Sequence, residues 1–412
     1  MPSVQRLMEQ VASYRQEIIE AQRTLTAIPA LGPTNGGQGE LDKMRVVQGW
    51  LRGLGLELER VDAPDERVAS GIRPNLLARL PGGEGPAVWA LSHLDVVPTG
   101  APELWGGDPW TLRVEGDRLY GRGVLDDHAG LLASYFGLKA LVELGLRPPG
   151  PAGLVLVSDE ETGSAYGLDY LLNARPEAFS PQDLIVVPDA GSEDGSLIEV
   201  AEKSILWLKV EVTGRQVHGS TPEKGVNALY TAARMMVAVR EMKELFPQSD
   251  PLFHPPTSTF EPTRKEAGVE NINTIPGFDV FYLDCRVLPE IDLDQVLAAF
   301  KRRFQEIASQ EGAGVKISVV QRQQAAPPTP ADAPVVKALE RAVARVHGIQ
   351  AQPGGVGGGT VAAFLRQRGI PAAVWSTWPD TAHMPDEYCN LSDIIKDAQV
   401  FALLFAGLTQ ED

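Results

Sequence analysis

Residues 153–189 read GLVLVSDEETGSAYGLDYLLNARPEAFSPQDLIVVPD, and the order of their parts decides the fold. The apolar run GLVLV ends in acids, SAYGLDYLLNA carries helical spacing, and a second apolar run, LIVV, ends at Pro188 and Asp189. Short apolar runs without polar alternation are strands buried on both faces, and a helix between two of them makes an α/β crossover. Working outward, AVWALSHLDVV (87–97) and NLLARL (75–80) read as strands, and HAGLLASYFGLKALVELG (128–145) as a helix. Two helical stripes open the chain. One runs over residues 4–28 through Val11, Tyr14, Ile18 and Leu25; the other carries Leu41, Met44, Val47, Leu51 and Leu54. Near the C-terminus a helix ending at Gly348, a strand IPAAVWS and a helix from about Ser392 to Leu408 complete the alternation.

Between residues 203 and 324 the pattern changes. SILWLKVEVTG predicts a long strand, NALYTAARMMVAVREMKEL a helix, residues 269–289 two strand segments, Asp292–Gln310 a helix and VKISVVQRQ a strand. Strand, helix, strand, strand, helix, strand is the split βαβ order of ferredoxin-like domains. The expected organisation is therefore a discontinuous α/β domain over 1–202 and 325–412, interrupted by an inserted α+β domain over 203–324.

The chain has 412 residues, of which 37 are Lys or Arg and 54 Asp or Glu, for a net charge of -17. That balance excludes ordinary nucleic-acid binding. No apolar run approaches the roughly 18–20 residues of a membrane-spanning helix, so no membrane is expected as a partner. The N-terminus shows no basic stretch followed by an apolar core, and Cys285 and Cys389 are too few for a disulfide framework. A soluble protein of the reducing cytoplasm is the expectation.

Five acid and histidine motifs fall at strand ends. In SHLD, alternation along a strand places His93 and Asp95 on one face, an arrangement suited to a metal-ligating imidazole backed by a carboxylate. GRGVLDD delivers Asp126 and Asp127 to a helix start, where capping explains one acid and leaves the other over. SDEETGS sets Asp159, Glu160 and Glu161 in succession, a concentration of charge that a cation would relieve. Asp189 ends LIVVPD, and His383 stands in TAHMPDEY. His93, Asp126, Glu161, Asp189 and His383 thus lie at or beyond the C-terminal ends of strands in one sheet, where such folds place their sites. Two histidines and three carboxylates suit zinc and tolerate cobalt or manganese.

SHLD, GRGVLD, SDEETGS, VVPDAG and TAHMPDEY, in that order, resemble the motifs of the two-metal hydrolases that include acetylornithine deacetylase, succinyl-diaminopimelate desuccinylase, aminoacylase, carnosinase-type dipeptidases and glutamate-releasing carboxypeptidases. The resemblance covers essentially the whole chain. It implies a zinc-exopeptidase-like α/β catalytic domain, with the insertion acting as a lid and dimerisation domain and the chain forming a homodimer. It further implies that Asp126 bridges two divalent ions, one held also by His93 and Asp189, the other by Glu161 and His383. Glu160 would be the general base and Asp95 would orient His93. In GRQVHGSTPEKGVNA, His218 would reach the substrate carbonyl. Asn273 in NINTIPG, Arg286 in DCR and Gly358 in the glycine loop GGVGGGTVAAF would contact substrate polar groups. The implied reaction is hydrolysis of the amide of an N-acyl amino acid by a metal-bridging water activated by Glu160. A dipeptidase or carboxypeptidase with the same metals is the alternative, and a non-catalytic small-molecule binder the remote one. Two departures stand out: His128 replaces a lysine common in relatives, and the glycine loop lacks the charged residues of the desuccinylases. Gly357-x-Gly359-x-x-Ala362 is superficially a dinucleotide fingerprint, but the polar QAQP before it does not read as an apolar strand.

Overall fold

The structure is a computed structural model and describes residues 4–266 and 268–408. It contains two compact units. One comprises the described parts of Met1–Val200, Pro328–Gly354 and Thr360–Asp412; the other comprises Ala201–Pro327 and Gly355–Gly359.

The first unit is built on an eight-stranded mixed sheet. Its strands lie in the order Glu57–Pro64, Ile72–Leu80, Ala152–Val157, Val88–His93, Leu184–Val187, Ala372–Val374, Leu197–Glu202, Gln352–Val356. The four strands from Ala152–Val157 to Ala372–Val374 run parallel. They are the continuous apolar runs of the sequence, and every residue of Val88–His93 and Ala152–Val157 is buried. Each fully buried Leu or Val there contributes about 1.5–3 kcal/mol relative to an exposed one. Register then fixes the site: His93 pairs with Val157, and the pairing of Ala90 with Val186, extended three residues, brings His93 level with Asp189. Behind the sheet, helix His128–Glu143 is buried on nearly all sides and packs on helix Leu391–Ala406. The contact is close because position 137 is glycine; a Cβ there would stand 2.9 Å from the Ala398 carbonyl oxygen.

The second unit is a four-stranded antiparallel sheet in the order Thr259–Lys265, Phe278–Val287, Ser204–Thr213, Gly314–Gln323, with helices Ala228–Ala238 and Leu293–Glu311. Numbered along the chain the strands run 2-3-1-4, the ferredoxin-like order. Leu206, Leu208, Val210 and Val212 alternate inward from the first strand and meet Phe281, Leu283 and Cys285, with Phe300 and Phe304 from the long helix. Burial pushes the Cys285 thiol far above its ordinary value, leaving it a small apolar group.

Several elements differ from expectation. The single opening helix is two, Val4–Ala12 and Arg15–Thr26, parted where the Ser13 hydroxyl donates to the Gln10 carbonyl at 2.6 Å and competes with the helical ladder. Residues 269–289 supply one sheet strand, Phe278–Val287. The other segment, Thr274–Ile275, pairs instead with Val217–His218. The missing strand is Thr259–Lys265, masked by Pro262 and its charges; it is an edge strand bulged after Pro262, where a missing N–H is tolerated. Gln352–Val356 is likewise a strand despite its polar start. Gly355–Gly359 belongs to the second unit, held by Gly355 N–H to the Leu252 carbonyl at 2.7 Å and Lys203 N–H to the Val356 carbonyl at 3.0 Å.

Candidate metal centre

His93 is the last residue of its strand, so Asp95 lies beyond the pleat and the expected strand alternation stops short of it. The ring Nδ1 lies 3.0 Å from the Asp95 main-chain carbonyl and 3.6 Å from its Oδ1. The carbonyl, and not the carboxylate, therefore takes the Nδ1 proton. Nε2 is left to face Asp126 Oδ1 at 2.9 Å and Asp189 Oδ1 at 3.3 Å. The second oxygen of Asp126 faces His383 Nε2 at 3.0 Å, and Glu161 Oε2 lies 3.2 Å from the same nitrogen. Asp126 thus divides its oxygens between two sets, one with His93 and Asp189, the other with Glu161 and His383. The first is buried, whereas the His383 side chain is 54% exposed, which gives the second set the open side.

The three successive acids of SDEET go three ways. Asp159, in the left-handed region at φ 62°, accepts from the Thr162 hydroxyl and the Tyr166 N–H and pairs with buried Arg73, which also pairs with Glu40. Glu160 and Glu161 begin a short 3-10 turn whose first two N–H groups donate to Asp95, to Oδ1 and Oδ2 respectively, each at 3.1 Å. Asp95 is 2% exposed, and its carboxylate holds the turn carrying both glutamates. Asp127 starts helix His128–Glu143 without a side-chain cap bond; its Oδ2 instead accepts the His93 N–H at 3.2 Å. Neither acid of the pair therefore caps the helix.

The charges of this cluster are strongly coupled. Burial pushes the Asp189 carboxyl up to about 6 and the Glu161 carboxyl up to about 7, the latter helped by the charge of Asp126. Burial and the neighbouring Asp189 hold Glu160 well above the usual carboxylate range. Hydrogen bonds to Asp126 and Glu161 push His383 up to about 10. Burial opposes charge on His93, yet Asp189 and Asp126 hold it well above its ordinary value. Protons here offset a concentration of negative charge, the task a divalent cation performs better. His93, Asp126 and Glu161 offer ligand atoms within 4.8 Å of one another, as do His93, Asp127 and Asp189, and the buried Glu161 Oε1 lacks a partner. The donor set is nitrogen and oxygen with no thiolate, so it fits a hard or borderline divalent ion.

His128, the departure noted in the sequence, is fully buried, and Lys43 Nζ lies 2.7 Å from its Nε2. Nothing in the helical stripe around Lys43 marked it as a partner of this region. On the second unit His218 is exposed, with Nδ1 2.8 Å from the Ser220 hydroxyl, and it pairs in register with Thr274, next to Asn273. Arg286 spends two nitrogens on Asp284, at 2.9 and 3.1 Å, and donates the third to the Gly357 carbonyl at 2.7 Å, beside Gly358.

The sequence profile of peptidase family M20/M25/M40 matches residues 90–406. An uncharacterized metallohydrolase of Methanococcus maripaludis is 37% identical, over 94% of this chain and 98% of that one. The chain belongs to peptidase family M20/M25/M40. This M20 family member is a metallohydrolase, and its family implies divalent metal ions. A succinyl-diaminopimelate desuccinylase of Sulfurovum is 26% identical over 82% of this chain and 88% of its own length. In fold the M20 chain is similar to human carnosine dipeptidase 1, with a TM-score of 0.71 at 18% identity over 99% of this chain and 100% of the other. No helix among the described residues is long and apolar enough to cross a membrane.

Proposed function

We propose that the protein hydrolyses the amide bond of an N-acyl amino acid, with His93, Asp126 and Asp189 holding one divalent ion and Asp126, Glu161 and His383 the other. The observation that carries this reading is the division of the two Asp126 oxygens between two nitrogen-containing sets. When bound, the ions would supply Lewis acidity toward the scissile carbonyl and a strong oxygen nucleophile at neutral pH. The protein's own part in the proton chemistry falls to Glu160. It adjoins the proposed ligand Glu161 on the turn held by Asp95, and burial with the charge of Asp189 holds its carboxyl well above the usual range, so it would accept a proton from the attacking water and pass it to the departing amine nitrogen. Asp95 fixes the main chain of Glu160 and thereby the origin of that proton path.

The proposal extends to the second unit, the expected lid, as the source of substrate contacts. His218 would serve the carbonyl oxygen, and Asn273, Arg286 and Gly358 the polar groups. Zinc as the resident ion, a cytoplasmic location and a homodimer complete the reading. A deacylase is preferred because relatives that resemble this chain over most of their length include a succinyl-diaminopimelate desuccinylase.

Amine release by the zinc-loaded protein from N-acetyl and N-succinyl amino acids and from dipeptides, with Glu160→Gln as control, tests it. Release from acyl amino acids by the wild type alone is expected. Release from dipeptides alone would replace the deacylase by a peptidase, and equal rates for wild type and Glu160→Gln would remove Glu160 from its role.

A further inference from the structure

Beyond His93, at its strand end, the acids and the second histidine of the centre come from loops far apart in sequence, and one buried ion pair ties two of these loops together. Glu387 and Arg122 are 0% and 1% exposed, and Arg122 Nη1 lies 2.5 Å from Glu387 Oε2. The same carboxylate accepts three main-chain N–H groups of the loop that carries Asp126. Oε2 takes Gly123 at 3.2 Å, and Oε1 takes Leu125 at 3.0 Å and Asp126 itself at 3.2 Å. Arg122 Nη2 reaches the carbonyl of His383 at 3.4 Å and that of Pro98 at 3.3 Å.

The local topology explains why these groups meet. Strand Tyr388–Asn390 pairs antiparallel with strand Arg118–Tyr120, Tyr388 opposite Tyr120. The chain leaving one strand at Gly121 therefore lies beside the chain entering the other at Glu387, and Gly121 N–H donates to the Glu387 carbonyl at 3.1 Å. His383 itself sits at φ 64°, a left-handed conformation that is strained for a non-glycine residue and persists only where the surroundings impose it. The Arg122 bond to its carbonyl is one such constraint.

We infer that Glu387 and Arg122 are a positioning pair that sets the separation between Asp126 and His383 and so governs the second of the two ion positions. The pair touches neither the first position's His93 nor Asp189. This rests on the paired-metal reading above and deepens it. The carboxylate fixes Asp126 through the main chain, the guanidinium fixes His383 through its carbonyl, and the ion pair between them transmits any displacement of one loop to the other.

The test is zinc binding by the full chain, followed by competition with a chromophoric chelator, together with the thermal midpoint of the metal-free protein. Glu387→Gln keeps the shape but loses the charge and one acceptor. Arg122→Lys keeps a charge but loses the second nitrogen that reaches His383, and it stands as an independent variant should the first fold poorly. In both, affinity for the second zinc equivalent should fall about tenfold to a hundredfold, the range typical of groups that orient metal ligands, and by more than the first; in Arg122→Lys, whose lost nitrogen reaches His383, the first stays within about threefold, whereas Glu387→Gln also loosens the shared Asp126 and weakens the first to a lesser degree. Equal weakening of both equivalents alongside a lower metal-free midpoint would make the pair merely structural and overturn the inference. Unchanged binding of both would overturn it as well. A wild type that binds fewer than two equivalents would overturn the paired-metal reading itself.

Discussion

Replacing Asp95 by asparagine isolates what its carboxylate does. In the wild type two buried oxygens each accept one main-chain N–H at 3.1 Å, from Glu160 and from Glu161. Asparagine offers a single carbonyl oxygen, so one N–H must face an amide NH2. A hydrogen bond to a charged group contributes ~1.5–3 kcal/mol, and an unsatisfied buried donor costs ~1–3 kcal/mol. The two figures describe the same lost contact, so the expected cost is about 2–3 kcal/mol, localised in the turn at Glu160–Thr162. At 1.4 kcal/mol per factor of ten, protection of these amides against hydrogen exchange should fall about 30- to 140-fold. The assay is hydrogen–deuterium exchange resolved to the peptide around residues 158–167, with strand Ala152–Val157 as an internal reference that should keep its protection. Turnover should fall too, because the proposed general base, Glu160, loses its fixed origin. Protection within about threefold of wild type would refute the reasoning that Asp95 holds the turn; a drop shared equally by the reference strand would show that the cost is global.

Other outcomes follow from the same structure. Burial pulls the Lys43 ammonium down to about 7, against the opposing charges of Asp95, Glu40 and Glu387. The unfolded chain holds that proton up to the ordinary lysine value of 10.5, so the Lys43 contribution to stability rises with pH between about 7 and 10, at most ~1.4 kcal/mol per unit. Lys43→Met should remove that slope from urea midpoints measured over this window; parallel pH profiles would count against it. Gly130→Ala should cost about 1–3 kcal/mol and weaken zinc binding, because a Cβ there would overlap the Asp127 carboxylate and the Pro188 carbonyl, next to Asp189. Unaltered zinc affinity in that variant would show the neighbourhood to be more yielding than its packing implies. Phe300→Ala removes a fully buried ring set edge-on to Phe260 and tilted against Phe304 and should destabilise the second unit by ~3–5 kcal/mol in calorimetry. Zinc affinity should stay unchanged, since every proposed ligand lies in the first unit; a loss of zinc would contradict that separation.

The central parallel strands were legible because burial on both faces leaves an unbroken apolar run, as in GLVLV and LIVV. Edge strands were not: Glu57–Pro64 is largely polar, and Thr259–Lys265 carries a proline and charged residues, so neither displays the pattern. His93, Glu161 and Asp189 closely follow strands of the large sheet, as expected, but the strand before Asp126, Arg118–Tyr120, belongs to a separate three-stranded sheet and His383 stands in a long loop after Ala372–Val374, so the expectation of one sheet's strand ends fails for these two. The supports of these residues were not legible. Asp95 was read as a partner of His93, but its role as acceptor for the 160–161 turn depends on a loop conformation with no periodic signature. Glu387 and Arg122 stood inside two of the quoted motifs, yet only the pairing of two three-residue strands brings them into contact. Lys43 is four-fifths hydrocarbon stem on an amphipathic helix, and nothing in the sequence points its amine at His128, 85 residues away.

The most direct test of the account is a crystal structure of the zinc-loaded protein with anomalous scattering recorded at the zinc edge. The account predicts two peaks per chain that share Asp126, one bonded to His93 and Asp189 and the other to Glu161 and His383. A single peak, or a first ion held by Asp127 in place of Asp126, would contradict it.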